Sequence, residues 1–160
     1  MNKQAVLQSI VAKLNIDLDV AQRAAQTAYE TATHEENIAE NKYDTLGLEA
    51  SYLAAGQARR VEEIRQSLKC YQNWPFTPFD ASRGIRIGDL IRIENGAGQA
   101  QYLFLGPDAA GLKVGASDQL ITVITPRAPL GQQLLGKFAD DDVQIVINGS
   151  EHSFEITHIF

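Results

Sequence analysis

Two stretches of the chain repeat apolar or small residues at intervals that alternate between three and four positions. An average repeat of 3.5 residues is typical of the contact face of a coiled-coil helix. The first stripe consists of Leu7, Val11, Leu14, Leu18, Ala21, Ala25, Ala28 and Ala32. The second stripe consists of Tyr43, Gly47, Ala50, Ala54, Gln57, Val61, Ile64, Leu68 and Tyr71. We therefore predict two helices that pack as an antiparallel coiled-coil hairpin, with the chain reversing near residue 36.

The side chains of the two stripes become smaller toward this predicted turn. Large residues such as Leu7 and Leu68 are expected to face each other at the far end of the hairpin. Small residues such as Ala28 and Gly47 are expected to face each other beside the turn. Because helices approach closely only where their facing side chains are small, the hairpin is expected to narrow toward its tip.

The predicted tip, residues 33–44, is rich in acidic residues. Its one base is Lys42, and its acids are Glu35, Glu36, Glu40 and Asp44. Negative charge near the start of the second helix complements the helix dipole, so Glu40 and Asp44 also have a purely structural explanation. Glu35 and Glu36, in contrast, repel each other unless a cation or a basic partner is present. Because magnesium prefers oxygen ligands, such a tip is able to complete a metal site supplied mostly by another molecule.

The second half of the chain has the pattern of a small β domain. Pro75 and Pro78 follow the second helix and indicate an extended linker over residues 75–82. Strands are expected at residues 85–87, 90–94, 101–105, 112–114, 120–125, 143–147 and 153–159, with one helix from Pro129 to Gly136. The predicted architecture is thus a helical hairpin at residues 1–74 followed by an α+β domain, an antiparallel sheet with one helix, at residues 83–160.

Charge and composition exclude several classes of function. Residues 1–74 hold eight bases and ten acids, and residues 75–160 hold six bases and ten acids, so the net charge is −6. Neither half has the basic excess that phosphate binding requires. No apolar run is long enough to span a membrane, no signal-peptide core is present, and Cys70 is the single cysteine, so a cytoplasmic protein is expected. The absence of familiar catalytic motifs argues against an enzyme that acts alone.

Two separate motifs resemble the bacterial transcript-cleavage factors GreA and GreB. The run Glu40-Asn41-Lys42-Tyr43-Asp44 and the helix after it resemble the tip and second helix of that family. The run from Pro129 to Lys137, Pro-Leu-Gly-Gln-Gln-Leu-Leu-Gly-Lys, is followed by Asp-Asp-Val at residues 141–143. This second pattern is similar to the signature of the family's C-terminal domain, and both motifs occur in the family's order.

The resemblance implies a factor, not itself an enzyme, that binds RNA polymerase and contacts nascent RNA only through it. Its FKBP-like C-terminal domain would dock at the rim of the secondary channel, and its hairpin would pass down that channel, where the tip stimulates cleavage of backtracked RNA. The implied docking residues are Ala128, Pro129, Leu130, Gly131, Leu135, Gly136 and Lys137. The tip residues that would act at the polymerase active site are Glu35, Glu36, Asn37, Glu40 and Asp44. Glu40 matches a family acid, and Glu36, next to Asn37, would replace the other, so Glu36 and Glu40 would share a magnesium ion with the polymerase. The protein would have no cofactor of its own and would act as a monomer.

The sequence departs from the family pattern at two positions. Asn37 stands where the family has a metal-handling aspartate, and Ala128 stands where it has a serine that caps the helix. A neutral amide binds magnesium more weakly than a carboxylate, which favours an alternative: a secondary-channel regulator that binds polymerase without stimulating cleavage. A structural or chaperone-like interaction module is a third interpretation.

Overall fold

The computed structural model describes residues 1–34 and 46–160 of the protein. Two long helices, α1 (Lys3–Thr33) and α2 (Leu46–Gln72), precede a six-stranded sheet. The sheet and its one helix comprise β1 (Leu90–Asn95), β2 (Ala100–Leu105), β3 (Lys113–Ala116), β4 (Gln119–Ile124), α3 (Pro129–Leu134), β5 (Asp142–Ile147) and β6 (Ser150–Ile159). The predicted fold class, a helical hairpin followed by a mostly antiparallel sheet with one short helix, is confirmed.

The chain forms two compact units. The hairpin unit comprises Ala12–Lys69, and the sheet unit comprises Met1–Val11 together with Cys70–Phe160. The first residues of α1 and the last residues of α2 therefore belong with the sheet.

Burial in the hairpin unit follows the predicted stripes. The buried apolar positions of this unit are Leu14, Ala21, Ala28, Ala50, Val61, Ile64 and Leu68, together with the buried Gly47. The remaining described members of the stripes within this unit are half-buried. The contact face of the hairpin is thus the one that the 3.5-residue repeat predicted, and small residues form it close to residues 35–45.

Burial in the first turns of α1 differs from the prediction. Val6 and Ile10 are buried, whereas Leu7 and Val11, which the repeat placed on the contact face, are only half-buried. The buried residues here are Lys3, Val6 and Ile10, so they keep the spacing of three and four residues but lie one position earlier in the sequence than predicted. The physical reason is that these residues belong to the sheet unit, which buries a different face of the helix.

The sheet has the order β3-β4-β2-β1-β6-β5 and is antiparallel except where β2 pairs with β4. Its core is formed by Ile85, Ile91, Ile93, Leu103, Leu105, Leu134, Val143, Phe154 and Ile156. The predicted strand at residues 85–87 is wrong. Ile85 instead exchanges backbone hydrogen bonds with the loop after α3, donating to the Lys137 carbonyl and accepting from the Gly136 N–H, both at 2.8 Å.

The turn between β5 and β6 agrees with the sequence pattern. Asn148 and Gly149 both have positive φ, 49° and 80°, as a two-residue hairpin turn of type I′ requires. The other predicted turn, at Asn95, is longer, because the Asn95 side chain accepts hydrogen bonds from the N–H groups of Ala97 and Gln99. Helix α3 begins at Pro129 as predicted and ends at Leu134, two residues before the predicted Gly136.

A buried ion network centres on Asp89, in the loop before β1. The Lys3 ammonium lies 2.9 Å from one Asp89 oxygen, and the Arg83 guanidinium lies 3.4 Å from the other. The Arg86 N–H also donates to this carboxylate. Lys3 and Asp89 are only 6% and 1% exposed. Because a charge this deeply buried is tolerated only when it is paired, the network fixes the start of α1 against the loop before β1.

Tyr71, near the end of α2, makes a second attachment within the sheet unit. Its hydroxyl donates to the Asp108 carbonyl at 2.7 Å, and its ring lies 6.4 Å from that of Phe104. Burial, reinforced by the nearby Asp108 charge, raises the pKa of Tyr71 well above its usual range. The hydroxyl therefore remains a hydrogen-bond donor under ordinary conditions.

Replacing Asp89 by Asn should destabilise the protein strongly, because the buried Lys3 and the half-buried Arg83 would lose their counter-charge. We expect the free energy of unfolding to fall by about 3–5 kcal/mol. The matched control is Asp19→Asn, since the Asp19 carboxylate pairs with Arg23 on the surface and should change stability by less than about 1 kcal/mol. Chemical denaturation measures both, and equal small losses would contradict the assigned role of the network.

Replacing Ala28 by Leu should force the narrow part of the hairpin apart. Overpacking a buried position lowers the free energy of unfolding by about 1–3 kcal/mol. Ala55→Leu is the control, because Ala55 is exposed on α2 and the two variants introduce the same side chain. If thermal and chemical denaturation give the same result for both variants, Ala28 does not lie on the contact face.

Candidate functional site

The predicted tip residues Glu35, Glu36, Asn37, Glu40 and Asp44 all lie outside the described residues. The structure describes the helices on both sides of them, with α1 ending at Thr33 and α2 beginning at Leu46.

Two further acids lie on the described helix ends. Glu30 is exposed near the end of α1, and Glu49 is exposed in the first turn of α2. The Glu30 carboxylate accepts a hydrogen bond of 2.7 Å from the Gln26 side chain. Within residues 1–34 and 46–160, no group of three or more His, Cys, Asp or Glu side chains is arranged to hold a metal ion.

The predicted docking residues form one short segment around α3. Pro129 occupies the first turn, where its missing N–H is not needed. Ala128 precedes it in an extended conformation (φ −83°, ψ 147°) and makes no side-chain capping bond. Its carbonyl accepts the first helical hydrogen bond, from Gln132 at 3.0 Å. The helix therefore begins at the residue where a helix with a side-chain cap at position 128 would begin. Pro129, rather than a capping hydroxyl, marks its first turn.

Gly131 brings α3 into close contact with the chain after β4. A Cβ atom at Gly131 would lie 2.1 Å from the carbonyl oxygen of Thr125, a backbone atom that cannot move aside easily. Leu134 lies in the sheet core, and Leu130 packs against that core. These three residues of the segment therefore position the helix and leave little surface for a partner.

Gly136 allows the chain to turn back after α3. Its φ of +76° lies in the left-handed region that favours glycine. Its N–H donates to the Ile85 carbonyl, and the Lys137 carbonyl accepts from the Ile85 N–H, as described above. The conformation of the segment is thus fixed at both ends by backbone contacts.

The exposed residues of the segment are the ones able to contact another molecule. Pro129, Leu135 and Gly136 are exposed, whereas Ala128 and Lys137 are half-buried. Leu135 is 40% exposed although it is aliphatic. Sequence reasoning missed Phe138, an aromatic side chain that is 44% exposed immediately after the motif. Two large exposed apolar side chains close together in sequence are a recognised feature of protein-binding surfaces.

Charged residues of both signs flank this segment, with three consecutive acids at residues 140–142 just after it. The Arg127 guanidinium, just before it, lies 3.3 Å from the Asp108 carboxylate, an exposed pair that contributes little to stability. The Asp141 carboxylate, just after it, accepts a hydrogen bond from the Phe138 N–H at 2.8 Å. Exposed apolar side chains and charged groups of both signs thus occur together here.

The sheet unit also contains a small cavity beside the ion network. It is lined by Lys3, Trp74, Phe76, Arg83 and Asp89, among other residues, and has a volume of about 60 Å³. Pockets for organic ligands typically measure several hundred Å³. The buried Lys3 and Asp89 side chains that line it are paired with each other at 2.9 Å.

No helix in residues 1–34 or 46–160 combines the length and apolar character needed to cross a membrane. The two histidines of β6, His152 and His158, are exposed. His158 stacks on Phe160 with ring centroids 6.1 Å apart. Neither belongs to a cluster of potential metal ligands within the described chain.

The chain was compared with known proteins and solved structures. No protein-family model and no curated protein matches it. Among solved structures, GreA factor homolog 1 (Gfh1) of Thermus thermophilus is 17% identical, with a TM-score of 0.37 and 94% of each chain covered. Gfh1 of Thermus aquaticus is 17% identical, with a TM-score of 0.40 and 92% of each chain covered.

A GreA/GreB transcription elongation factor from Nitrosomonas europaea is 16% identical with a TM-score of 0.38, and the match covers 64% of this chain and 90% of that one. The structure neighbours of this protein are thus Gfh1 and GreA/GreB transcription elongation factors, at low sequence identity.

Proposed function

We propose that this protein is a Gre-like transcription elongation factor that binds bacterial RNA polymerase and inserts its hairpin into the secondary channel. One observation carries the proposal: two motifs that resemble the GreA and GreB family occur at the two places where such a factor needs them. The first contains Glu40 and lies between the hairpin helices, and the second spans Pro129 to Lys137, over α3 and the turn after it.

The hairpin has the physical properties that insertion requires. Its contact face is formed by Ala21, Ala28, Gly47 and Ala50 toward residues 35–45. Small residues allow two helices to approach to the lower end of the usual range, about 8 Å between axes. A narrow pair of helices fits an opening that a helix pair separated by large side chains would not enter.

The α3 segment supports the proposed docking. Leu135 and Phe138 expose apolar surface on a backbone that is fixed at Gly131 and Gly136. A rigid segment loses little conformational entropy on binding, which favours affinity.

The proposed activity requires no catalytic group on this chain. Glu36 and Glu40 would each offer carboxylate oxygens, the ligands that magnesium prefers, while the ion keeps several waters. A second magnesium ion assists phosphoryl chemistry by stabilising the attacking and leaving oxygens. The polymerase would perform the cleavage, and the acidic tip would strengthen ion binding at that site.

A second candidate function is occupation of the channel without stimulation of cleavage. Asn37 favours it, because an amide oxygen carries no net charge and replaces an expected carboxylate. One negative charge fewer weakens the electrostatic attraction for a divalent cation. The factor would then regulate polymerase by blocking the channel or by competing with cleavage factors.

Replacing Leu135 by Ser should weaken binding to core RNA polymerase, because it removes exposed apolar surface from the α3 segment. Residues at the centre of an interface typically contribute more than about 1 kcal/mol, so a loss of about fivefold or more is expected. Leu120→Ser is the control, since Leu120 is equally aliphatic and exposed on β4. Affinity is measured by fluorescence titration with the full-length proteins. Equal affinity of all three proteins would contradict docking through α3, and no binding by the native chain would favour an interaction module with another partner.

Replacing Glu40 by Gln should abolish stimulated cleavage in stalled transcription complexes while leaving polymerase affinity nearly unchanged, because the substitution removes charge but keeps shape. Asn37→Asp should raise cleavage, most clearly at low magnesium concentration. Glu30→Gln is the control for charge, because Glu30 is an exposed acid on the described end of α1. A native protein that binds but never stimulates cleavage, and that gains activity with Asn37→Asp, would establish channel occupation as its role. Cleavage that none of these changes affects would contradict the role of the tip.

A further inference from the structure

Strand β5 forms one edge of the sheet. In the part of the chain that the structure describes, it pairs with β6 and has no strand on its other side. The opposite edge of the sheet is β3, which pairs with β4. An edge strand presents a row of backbone donors and acceptors to which another extended segment can add.

The hairpin turn determines which backbone groups of β5 face this open edge. A two-residue turn at Asn148 and Gly149 makes Ile147 and Ser150 a hydrogen-bonded pair, so the odd-numbered residues of β5 bond to β6. The hydrogen bond from the Ile156 N–H to the Asp141 carbonyl, 2.9 Å, continues the same series. The N–H and carbonyl groups of Gln144 and Val146 therefore point outward, away from β6.

The two edges of the sheet differ in how they are protected against strand addition. Strand β3 has only four residues and begins with Lys113, and both short length and lysine discourage pairing. Strand β5 has six residues and contains no lysine, arginine or proline. Its last two residues are aliphatic and exposed, Val146 by 63% and Ile147 by 45%. By these criteria β5 can accept another strand, whereas β3 is protected against strand addition.

Helix α3 leaves this edge accessible. It packs on the inward face of the sheet, where Leu134 lies in the core with Val143 and where Leu130 and Ile145 pack against it. Alternation along the strand directs Gln144 and Val146 to the other face, and both side chains are exposed.

The two faces beside the edge have different chemistry. On the outward face, Asp142 pairs with Glu155, and Val146 pairs with Glu151, and neither β5 nor β6 contains a lysine or an arginine. On the inward face, which packs against α3, the β5 side chains that are not fully buried are Ile145 and Ile147. An added strand would therefore place alternate side chains on the outward face, where Asp142 is the nearest acid and Glu151 and Glu155 lie one strand farther in, and next to aliphatic groups on the inward face.

We propose that β5 binds an extended segment of a partner protein in which basic and apolar side chains alternate. The segment adds as a seventh strand, with its backbone bonded to Gln144 and Val146. Its basic side chains lie on the outward face, nearest to Asp142, with Glu151 and Glu155 one strand farther in on β6, and its apolar side chains lie beside Ile145 and Ile147. Charge complementarity selects this occupant over a second copy of the chain, because pairing of β5 with itself would bring two acidic faces together. The inference concerns the sheet unit alone and does not depend on the proposed action at RNA polymerase.

The test uses the full-length chain and a synthetic peptide, acetyl-(Lys-Val)4-amide, as the probe. Binding is measured by calorimetry, and backbone amide shifts are followed by NMR. We expect the largest shifts at Gln144 and Val146 and none at Lys113 on the opposite edge. The matched peptide acetyl-(Glu-Val)4-amide should bind at least about tenfold more weakly, and binding of the Lys-Val peptide should weaken as salt is added.

Two variants locate the binding to the edge. Val146→Lys places a lysine on β5, and lysine on an edge strand discourages the addition of another strand. Gln144→Pro removes a backbone N–H group that points outward. Each variant should therefore weaken peptide binding at least about tenfold. Leu120→Lys makes the same charge change at an exposed leucine away from β5 and should bind like the native chain. Circular dichroism confirms that the variants fold, and because Val146 is exposed, this variant keeps the test valid if Gln144→Pro unfolds the sheet.

Three results would overturn the proposal. The first is absence of peptide binding, and the second is binding that both edge variants leave unchanged. The third is a dimer of the full-length chain in sedimentation experiments that Val146→Lys dissociates, since this would make a second copy the occupant.

Discussion

The buried carboxylate of Asp89 is the interaction on which the organisation of the sheet unit depends. It receives Lys3 from α1, Arg83 from the preceding loop and the Arg86 N–H, while its own backbone carbonyl accepts from the Leu105 N–H at 3.0 Å. One residue thus connects a helix, a loop and the sheet. An ion pair of this kind contributes less to net stability than its geometry suggests, but an arrangement that separated Lys3 from Asp89 would leave a buried charge unpaired.

The small residues on the contact face of the hairpin limit the stabilisation that helix packing can provide. It is formed by alanine and glycine near residues 35–45 and by larger aliphatic residues farther away. Alanines bury little apolar area, so this part of the hairpin gains less hydrophobic stabilisation per residue than a leucine seam would provide. Small facing side chains instead allow the two helices to lie close together.

The segment around α3 combines structural and exposed residues within one motif. Gly131 permits close contact with Thr125, Gly136 adopts a left-handed conformation, and Leu134 lies in the core. These requirements of packing would preserve most of the motif in any protein with this fold, whatever its partner. Leu135 and Phe138 have no such packing role in the core and are the exposed large apolar side chains of this part of the chain. The open edge at β5 is a second exposed surface of the same unit, and its acidic and aliphatic faces differ from the surface at α3.

The sequence by itself determined the elements whose signals are local. The 3.5-residue repeat located both long helices and their contact face in the hairpin unit, Asn148 and Gly149 located a tight turn, and Pro129 located the start of α3. The tertiary structure decided what depends on distant residues. It made Ile85 part of a loop, because its backbone pairs with Gly136 and Lys137 rather than with a strand. It shifted the buried face of α1 to Val6 and Ile10, because that part of the helix packs within the sheet unit, and it paired Lys3 with Asp89, 86 residues away. Periodicity records which face of an element is apolar, but it contains no information on which distant partner will cover that face.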